Sequence, residues 1–157
     1  MKLIQYERGM KMTIKGVLID VVNNTAKVVE IEKKLESYYK ILNCDLIDIT
    51  SRYIEGKLFD IICDDEGLYK NDFIVSAATS RGTAALVGNL LVVKFDGTDD
   101  ETSLDDNEIL HVLNNVKKIK CNLYKEERVM LVNVDHENIE SDSGNHKLTS
   151  WSYKVHQ

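Results

Sequence analysis

Residues 89–95 read Asn89-Leu90-Leu91-Val92-Val93-Lys94-Phe95, and this stretch decides the fold. Four consecutive apolar residues without alternation are typical of a strand that is buried on both faces. A strand of this kind lies inside a sheet and not at its edge. We therefore predict that residues 89–95 form a central strand.

Two pairs of strand patterns precede this stretch. Apolar residues alternate over 13–22 and resume over 26–31, and the Asn23-Asn24 pair between them predicts a β-hairpin, because Asn tolerates positive φ. A second pair is predicted over 46–54 and 58–63, joined by a Glu-Gly turn in which Gly supplies permissive dihedral angles.

Two helices are predicted from apolar stripes at helical spacing. The first helix ends near Asn43. The second begins at Ser103, which has the spacing of a capping box with the acidic Asp106. The stripe residues are Leu35, Tyr38, Tyr39 and Leu42 in the first helix and Ile109, Leu110, Leu113 and Val116 in the second.

The remaining segments complete the expected fold class. Residues 74–87 are predicted to be a loop with a short strand or turn, and 118–124 and 129–134 to be strands around a polar turn. We predict an α+β fold: a single small domain with a mostly antiparallel or mixed sheet and two helices packed on it. The predicted divisions are an N-terminal extension (1–12), an α/β core domain (13–117) and a C-terminal hairpin and polar tail packed on the core (118–157).

Composition favours a folded cytoplasmic protein. A chain of 157 residues with 43% hydrophobic content can build one core. The first residues lack the apolar run of a secretory signal, and no stretch is apolar enough to span a membrane. Cys44, Cys63 and Cys121 are odd in number and widely spaced, so we expect core residues in a reducing compartment and no disulfide framework.

Acidic charge is concentrated in the middle of the chain. Between Phe59 and Val116, twelve acidic residues stand against three basic ones. A surface of this sign repels nucleic acid and attracts basic grooves, so it could compete with nucleic acid for a partner protein. The alternative is an acidic face that only aids solubility. The predicted partner-binding residues are Asp64, Asp65, Glu66, Asp96, Asp99, Asp100, Glu101, Asp105 and Asp106.

A second candidate site is a short polar segment in which hydroxyls, a glycine and a guanidinium suit a phosphate. Its predicted ligand-binding residues are Thr79, Ser80, Arg81 and Thr83. The alternative is an ordinary polar loop, because the segment lacks the Walker pattern.

Patterns for catalysis and metal binding are weak. The acidic loop after Asp96 does not reproduce an EF-hand, and the Cys and His residues lack the close pairs of a zinc site. No Gly-x-Ser-x-Gly elbow is present. We therefore predict no catalytic residues, no metal, no cofactor and no enzyme activity.

Several short motifs occur in a recognisable order. They are Val17-Leu18-Ile19-Asp20, Val28-Val29-Glu30-Ile31, Asp64-x-Glu66-Gly67-Leu68, Gly88-Asn89-Leu90-Leu91-Val92-Val93 and Thr102-Ser103-Leu104. Over roughly residues 14–116 the chain resembles the phage and mobile-element family catalogued as domain of unknown function 3846. The resemblance implies a small α/β protein from a bacteriophage or conjugative element, a setting in which accessory proteins often counter host defence. It implies no enzyme activity.

The resemblance and the charge together suggest three functions. The first is a counter-defence protein that binds and inhibits a host immunity protein, for example a CRISPR effector, through the acidic surface. The second is a sponge that sequesters a cyclic or ADP-ribose-type nucleotide signal at the Arg81 segment, in a homodimer. The third is a small regulatory accessory protein. None of them involves direct nucleic acid binding or a membrane.

Overall fold

The computed structural model describes residues 12–70, 72–97, 101–120 and 126–138. Within these ranges the chain forms ten strands, two α-helices and one short 3-10 helix. The strands are β1 (Thr13–Asp20), β2 (Thr25–Glu32), β3 (Ile47–Ile54), β4 (Lys57–Asp64), β5 (Val75–Ala78), β6 (Ala84–Val87), β7 (Leu90–Lys94), β8 (Val116–Ile119), β9 (Arg128–Leu131) and β10 (Val134–Asp135). The helices are α1 (Leu35–Leu42), α2 (Asp106–Asn114) and the 3-10 helix Gly67–Tyr69.

The two predicted hairpins and the helix between them form where the sequence predicts. β1 and β2 form a full-length antiparallel hairpin, and Asn24 in its turn has a φ of 55°. Asn43 has a φ of 53° and ends α1 with a left-handed cap. The β3–β4 hairpin turns at Glu55 and Gly56, whose φ values of 45° and 81° are those of a type I′ turn.

β7 lies inside a six-stranded sheet, here called the main sheet, with the order β10-β3-β4-β7-β1-β2. Every neighbouring pair in this sheet is antiparallel. Val92 of β7 is opposite Val17 of β1 on one side and Ile61 of β4 on the other. The prediction of a central strand is therefore confirmed.

The side chains of β7 alternate between two buried layers. Leu90 and Val92 belong to the cluster formed with α2 and a second sheet, whereas Leu91 and Val93 belong to the cluster formed with α1. All four are fully buried. Burial of each such side chain contributes roughly 1.5–3 kcal/mol to the free energy of unfolding. This one strand therefore helps to hold both buried clusters against the sheet.

The second sheet, here called the small sheet, has the order β6-β5-β9-β8. β5 and β9 are parallel, with Ala77 opposite Leu131, and the other pairs are antiparallel. The prediction for 74–87 is incomplete, because this segment contains two strands that form a hairpin. Ser76 and Ala77 are fully buried, and small residues of this kind carry little strand signal in a sequence.

The α+β class, with mostly antiparallel strands and two helices, agrees with the structure. The expectation of a single sheet that carries both helices is wrong, because the strands form two sheets. The two helices also contribute to different clusters, on opposite faces of the main sheet.

Strand bounds differ from the predictions in the C-terminal part. Val116 belongs to β8 and not to the second helix. The predicted strand 129–134 is divided, because Asn133 has a φ of 60° and its backbone leaves the extended conformation. β9 therefore ends at Leu131, and β10 crosses to the main sheet beside β3. Residues 121–125 and 139–157 lie outside the described ranges, so the predicted domain divisions stay a prediction.

Gly16 lies where β1 approaches β7 closely. A Cβ atom built on Gly16 would collide with the carbonyl oxygen of Val92 and would lie 3.1 and 3.2 Å from the side chains of Leu91 and Val93. The first neighbour is backbone of the central strand, so it cannot move aside without disturbing the sheet. Only glycine fits at this position.

We predict that Gly16→Ala lowers the free energy of unfolding by about 3 kcal/mol, because the methyl group overpacks the contact between β1 and β7. Gly88→Ala is the control: its φ of 75° costs about 1–2 kcal/mol, but a Cβ there has no heavy atom within 4 Å. Urea unfolding curves measure both values. A smaller loss for Gly16→Ala than for Gly88→Ala would contradict the close approach.

Asn89 ties three elements together at the start of β7. Its Oδ1 accepts a hydrogen bond from the backbone N–H of Val21 at 2.9 Å, and its Nδ2 donates to the carbonyl of Ile41 at 3.1 Å. The residue is buried. One amide therefore joins the β1–β2 turn, the last turn of α1 and the central strand.

We predict that Asn89→Ala lowers the free energy of unfolding by about 2–3 kcal/mol, because it leaves one buried donor and one buried acceptor without partners. Asn114→Ala, at an exposed position on α2, should change it by less than about 0.5 kcal/mol. Chemical denaturation measures both. Equal effects of the two substitutions would argue against the bridging role of Asn89.

Candidate functional site

The predicted acidic surface is divided into two groups at opposite ends of the main sheet. β4 and β7 are antiparallel, with Phe59 opposite Lys94, so the segments that follow the two strands leave the sheet in opposite directions. At ~3.3 Å per residue, Asp64 and Asp96 are roughly 20 Å apart along the strands. The β4-end acids are Asp64, Asp65 and Glu66, and the described β7-end acids are Asp96, Glu101, Asp105 and Asp106.

The β4-end acids include one carboxylate with a structural role. Asp64 pairs with the Nζ atom of Lys70 and accepts a hydrogen bond from the backbone N–H of Glu66 at 2.9 Å. Its side chain is only 6% exposed. The hydrogen bond to Asp64 raises the pKa of Lys70. Asp65 and Glu66 are exposed, so only two of the three carboxylates are accessible to a partner.

The β7-end acids are carried by a segment that is inserted between two strands. The backbone N–H of Lys94 on β7 donates to the carbonyl of Thr102 at 2.9 Å. The backbone N–H of Leu104 donates to the carbonyl of Lys15 on β1 at 3.0 Å. Residues 102–104 therefore separate the end of β7 from the start of β1, and they hold this acidic segment against the sheet.

Two of the β7-end carboxylates are oriented by hydroxyl groups. Asp96 accepts a hydrogen bond from Oγ1 of Thr102 at 2.7 Å. Glu101 accepts one from the hydroxyl of Tyr38 at 3.2 Å. Tyr38 is otherwise buried in the α1 layer. A core side chain thus positions an acidic group at the surface.

Asp105 is the N-cap of α2, and the prediction of Ser103 for this role is wrong. The Asp105 carboxylate accepts from the backbone N–H of Glu108 at 2.8 Å, and the Glu108 carboxylate accepts from the N–H of Asp105 at 2.9 Å. Ser103 instead accepts a hydrogen bond from the N–H of Lys15. The bond from the Glu108 backbone, helped by the charge of Lys94, lowers the pKa of Asp105.

The other members of the predicted acidic set differ in their accessibility. Asp106 is exposed in the first turn of α2. Asp99 and Asp100 lie outside the described residues.

Leu110, predicted to be buried in the stripe of α2, is 59% exposed and contributes an apolar group to the solvent side of that helix.

The predicted phosphate site is the turn of the β5–β6 hairpin. The backbone N–H and Oγ of Ser80 both donate to the Asp135 carboxylate, at 3.1 and 3.2 Å. The hydroxyls of Thr79 and Thr83 bond to each other at 2.7 Å, and Arg81 is exposed. A phosphate at Ser80 would have to replace a carboxylate that already uses these donors. This geometry adds no support to the predicted ligand site.

Arg128 is a buried cation, although its sequence context predicts a polar turn. It is the first residue of β9, and 8% of its surface is exposed. Its Nη2 donates to the carbonyl of Val21, its Nη1 pairs with Glu126 at 3.2 Å, and its Nε has no hydrogen-bond partner. In addition, the Oδ1 atom of Asn24 accepts a hydrogen bond from the backbone N–H of Val129 at 2.7 Å. These contacts join the β1–β2 turn to the small sheet.

No signal in the sequence distinguishes Arg128 from the surface charges beside it. The run Lys125-Glu126-Glu127-Arg128 has the composition of an exposed turn. Burial of its last residue depends on the β1–β2 turn, which is more than 100 residues away in the chain.

The described cysteines are core residues, as predicted. Cys44 and Cys63 are free and buried, and Cys121 lies outside the described ranges. Burial raises the pKa of Cys63 to about 12, so its thiol is protonated at neutral pH and a poor nucleophile.

In the described part of the chain, no group of three or more His, Cys, Asp or Glu side chains is placed to hold a metal ion. Nor does this part contain a helix that is long and apolar enough to cross a membrane.

We predict that Asp105→Ala destabilises the protein at neutral pH, because it removes the cap of α2, and that Asp105→Asn, which keeps an acceptor, destabilises it less. The folded-state pKa of Asp105 is lowered, so its ionised form stabilises the fold above the ordinary carboxyl pKa of 3.8 and this contribution is lost as the pH falls through the folded-state value.

Urea unfolding at neutral and acidic pH measures this effect. The difference between wild type and Asp105→Ala should shrink in acid, whereas Asp105→Asn should keep its own cap at both pH values. A difference between wild type and Asp105→Ala that is independent of pH would show that the charge of Asp105 does not contribute.

Comparison with known proteins gives a match to a family model. Neither the curated proteins nor the solved structures contain a match to this chain. The family model described as domain of unknown function (DUF3846) matches residues 13–117, which run from the first residue of β1 into β8 and make up about two thirds of the chain. The matched range includes the central strand β7, Asn89 and the capping box of α2. The chain therefore belongs to the DUF3846 family.

Proposed function

We propose that this chain is a non-enzymatic counter-defence protein of a bacteriophage or mobile genetic element, which binds and inhibits a host immunity protein. The observation that carries the proposal is the charge of residues 96–106, which include six acidic residues and no basic one. The described part of this segment is held at one end of the main sheet. Its partner would present a basic, nucleic-acid-binding surface, such as the groove of a CRISPR effector.

The orientation of the carboxylates supports this proposal over a merely solubilising face. Asp96 and Glu101 are held by hydroxyl groups, and Asp105 is held by the helix that it caps. Groups that are already ordered lose less conformational entropy on binding. Asp106 is exposed, and the Asp105 side chain is 58% exposed although its Oδ1 accepts the cap hydrogen bond and its Oδ2 lies 3.9 Å from Nζ of Lys94.

The β4-end acids are the weaker candidate for this contact. Asp64 is neutralised by Lys70 and serves the turn after β4. The proposal therefore assigns the partner contact to the β7 end, with Asp99 and Asp100 as further sequence candidates, and leaves the β4 end outside it. It requires the protein to act in the cytoplasm of the host cell.

The nucleotide-sponge function and the regulatory accessory function stay predictions. Among the described residues, the contacts around Ser80 favour an internal hydrogen-bonded turn, so we do not propose a second function.

Two variants of equal net charge test the proposal. The first variant reverses the charge at the β7 end by changing Asp99, Asp100 and Asp106 to Lys, and it leaves the Asp105 cap intact. The second variant makes the same change of net charge at exposed residues of the β4 end, by changing Asp45, Asp65 and Glu66 to Lys. Target-DNA binding by purified CRISPR effectors is measured while each protein is titrated in. Wild type and the β4-end variant should lower binding, and the β7-end variant should not.

Circular dichroism and thermal unfolding confirm that both variants are folded. Equal loss of inhibition in both would show that overall charge acts and not the β7 end. Full inhibition by the β7-end variant would exclude the proposed surface. A wild-type protein that inhibits none of the effectors would remove the support for a CRISPR target.

A further inference from the structure

Among the described strands, only the short β10 lies outside β3, so this edge of the main sheet is open along most of its length. β10 pairs only with Tyr53 and Ile54 of this strand. In the described part of the chain, residues 47–52 have no strand partner on that side. An edge of unpaired backbone N–H and C=O groups is a template for a further strand.

The type I′ turn decides which backbone groups point outward. In a two-residue hairpin the flanking residues, here Ile54 and Lys57, form a hydrogen-bonded pair, and such pairs then alternate along the ladder. Asp48, Thr50 and Arg52 therefore direct their backbone groups to β4. Ile47, Ile49 and Ser51 direct theirs to the open edge. The N–H of Glu55 donates to the carbonyl of Asn133 on the β10 side. This bond agrees with the alternation, in which the odd-numbered residues direct their backbone groups away from β4.

Exposed apolar side chains accompany this edge. Ile49, at its centre, is 39% exposed, and Leu46, just before β3, is 48% exposed. Asp48 and Ser51 are exposed as well, so the edge is accessible from solvent. Within the described ranges, the edge thus combines backbone groups that have no strand partner with apolar surface, and an added strand would cover both.

We propose that β3 pairs antiparallel with β3 of a second copy of this chain, about a two-fold axis at Ile49. Ile49 then exchanges hydrogen bonds with Ile49 of the second copy, and Ile47 does so with its Ser51. All the outward-facing groups of the open edge are paired in this register. Asp48 stands opposite Thr50 of the second copy, where a hydroxyl can donate to a carboxylate, and no like charges are opposed.

β10 excludes the neighbouring register. A two-fold axis at Thr50 would place Ile47 of the second copy opposite Tyr53. Asp135 already occupies that position. An axis at Asp48 would place the Asp48 carboxylates of the two copies opposite each other. The axis at Ile49 avoids this repulsion and pairs residues 47–51 without reaching β10.

The opposite edge of the main sheet has a different character. β2 carries three charged residues, Lys27, Glu30 and Glu32, along its eight positions. Charged side chains of this kind are a usual protection of edge strands against pairing. Val28 of β2 is 43% exposed, close to the value for Ile49, so it provides a matched control position.

The proposed contact is short, so we expect a concentration-dependent dimer. Five paired residues per strand bury less than the roughly 1,200–2,000 Å² of stable interfaces, which predicts weak association. Sedimentation velocity of the full chain at increasing concentration measures it. Wild type and Val28→Lys should shift from monomer to dimer together, and Ile49→Lys should raise the dissociation constant at least about tenfold, because two ammonium groups meet at the axis.

A cross-linking variant tests the register without relying on affinity. Paired Cα atoms in an antiparallel ladder are ~5.5 Å apart, within the range that a disulfide spans. In a Cys121→Ser background, Ile49→Cys should form a covalent dimer under mild oxidation, and Val28→Cys should not. Monomeric wild type up to about 1 mM, a dimer unaffected by Ile49→Lys, or preferential cross-linking through Val28→Cys would each overturn the proposal.

Discussion

The burial of β7 on both faces is the constraint on which the rest of this structure depends. A strand of four apolar residues can be covered completely only if it has a strand on each side and a layer on each face. β1 and β4 provide the neighbours, α1 covers one face, and α2 with the small sheet covers the other. Gly16 and Asn89 act on the same strand, the first by its lack of a side chain and the second by its hydrogen bonds.

The antiparallel arrangement around β7 also determines where charge is displayed. Because β4 and β7 run in opposite directions, the acidic segments that follow these two strands leave the sheet at opposite ends. One end buries Asp64 against Lys70. The other end orients its carboxylates with hydroxyls and a helix cap, and an ion pair there joins Lys94 to the exposed Asp105 at 3.9 Å. A charged stretch of sequence is therefore not the same as a charged surface, and only the β7 end is carried into the proposed function.

Much of the fold could be predicted from local pattern. The β1–β2 hairpin, α1 and the β3–β4 hairpin have strong periodicity and turn residues that tolerate positive φ, and they form where expected. β5 and β6 were underestimated because small buried residues such as Ser76 and Ala77 lack the bulky alternation of a strand. The site was harder to predict, since Arg128 and Ser80 depend on partners far away in the chain.

The sequence by itself determined the central strand, the fold class and the concentration of acidic residues, because each follows from composition and short-range periodicity. Only the tertiary structure decided that the strands form two sheets, that Asp105 and not Ser103 caps α2, and that β10 covers just the last residues of β3. These features depend on contacts between segments that are distant in the chain. Such contacts depend on how buried surfaces pack together, and a local sequence pattern does not specify that packing.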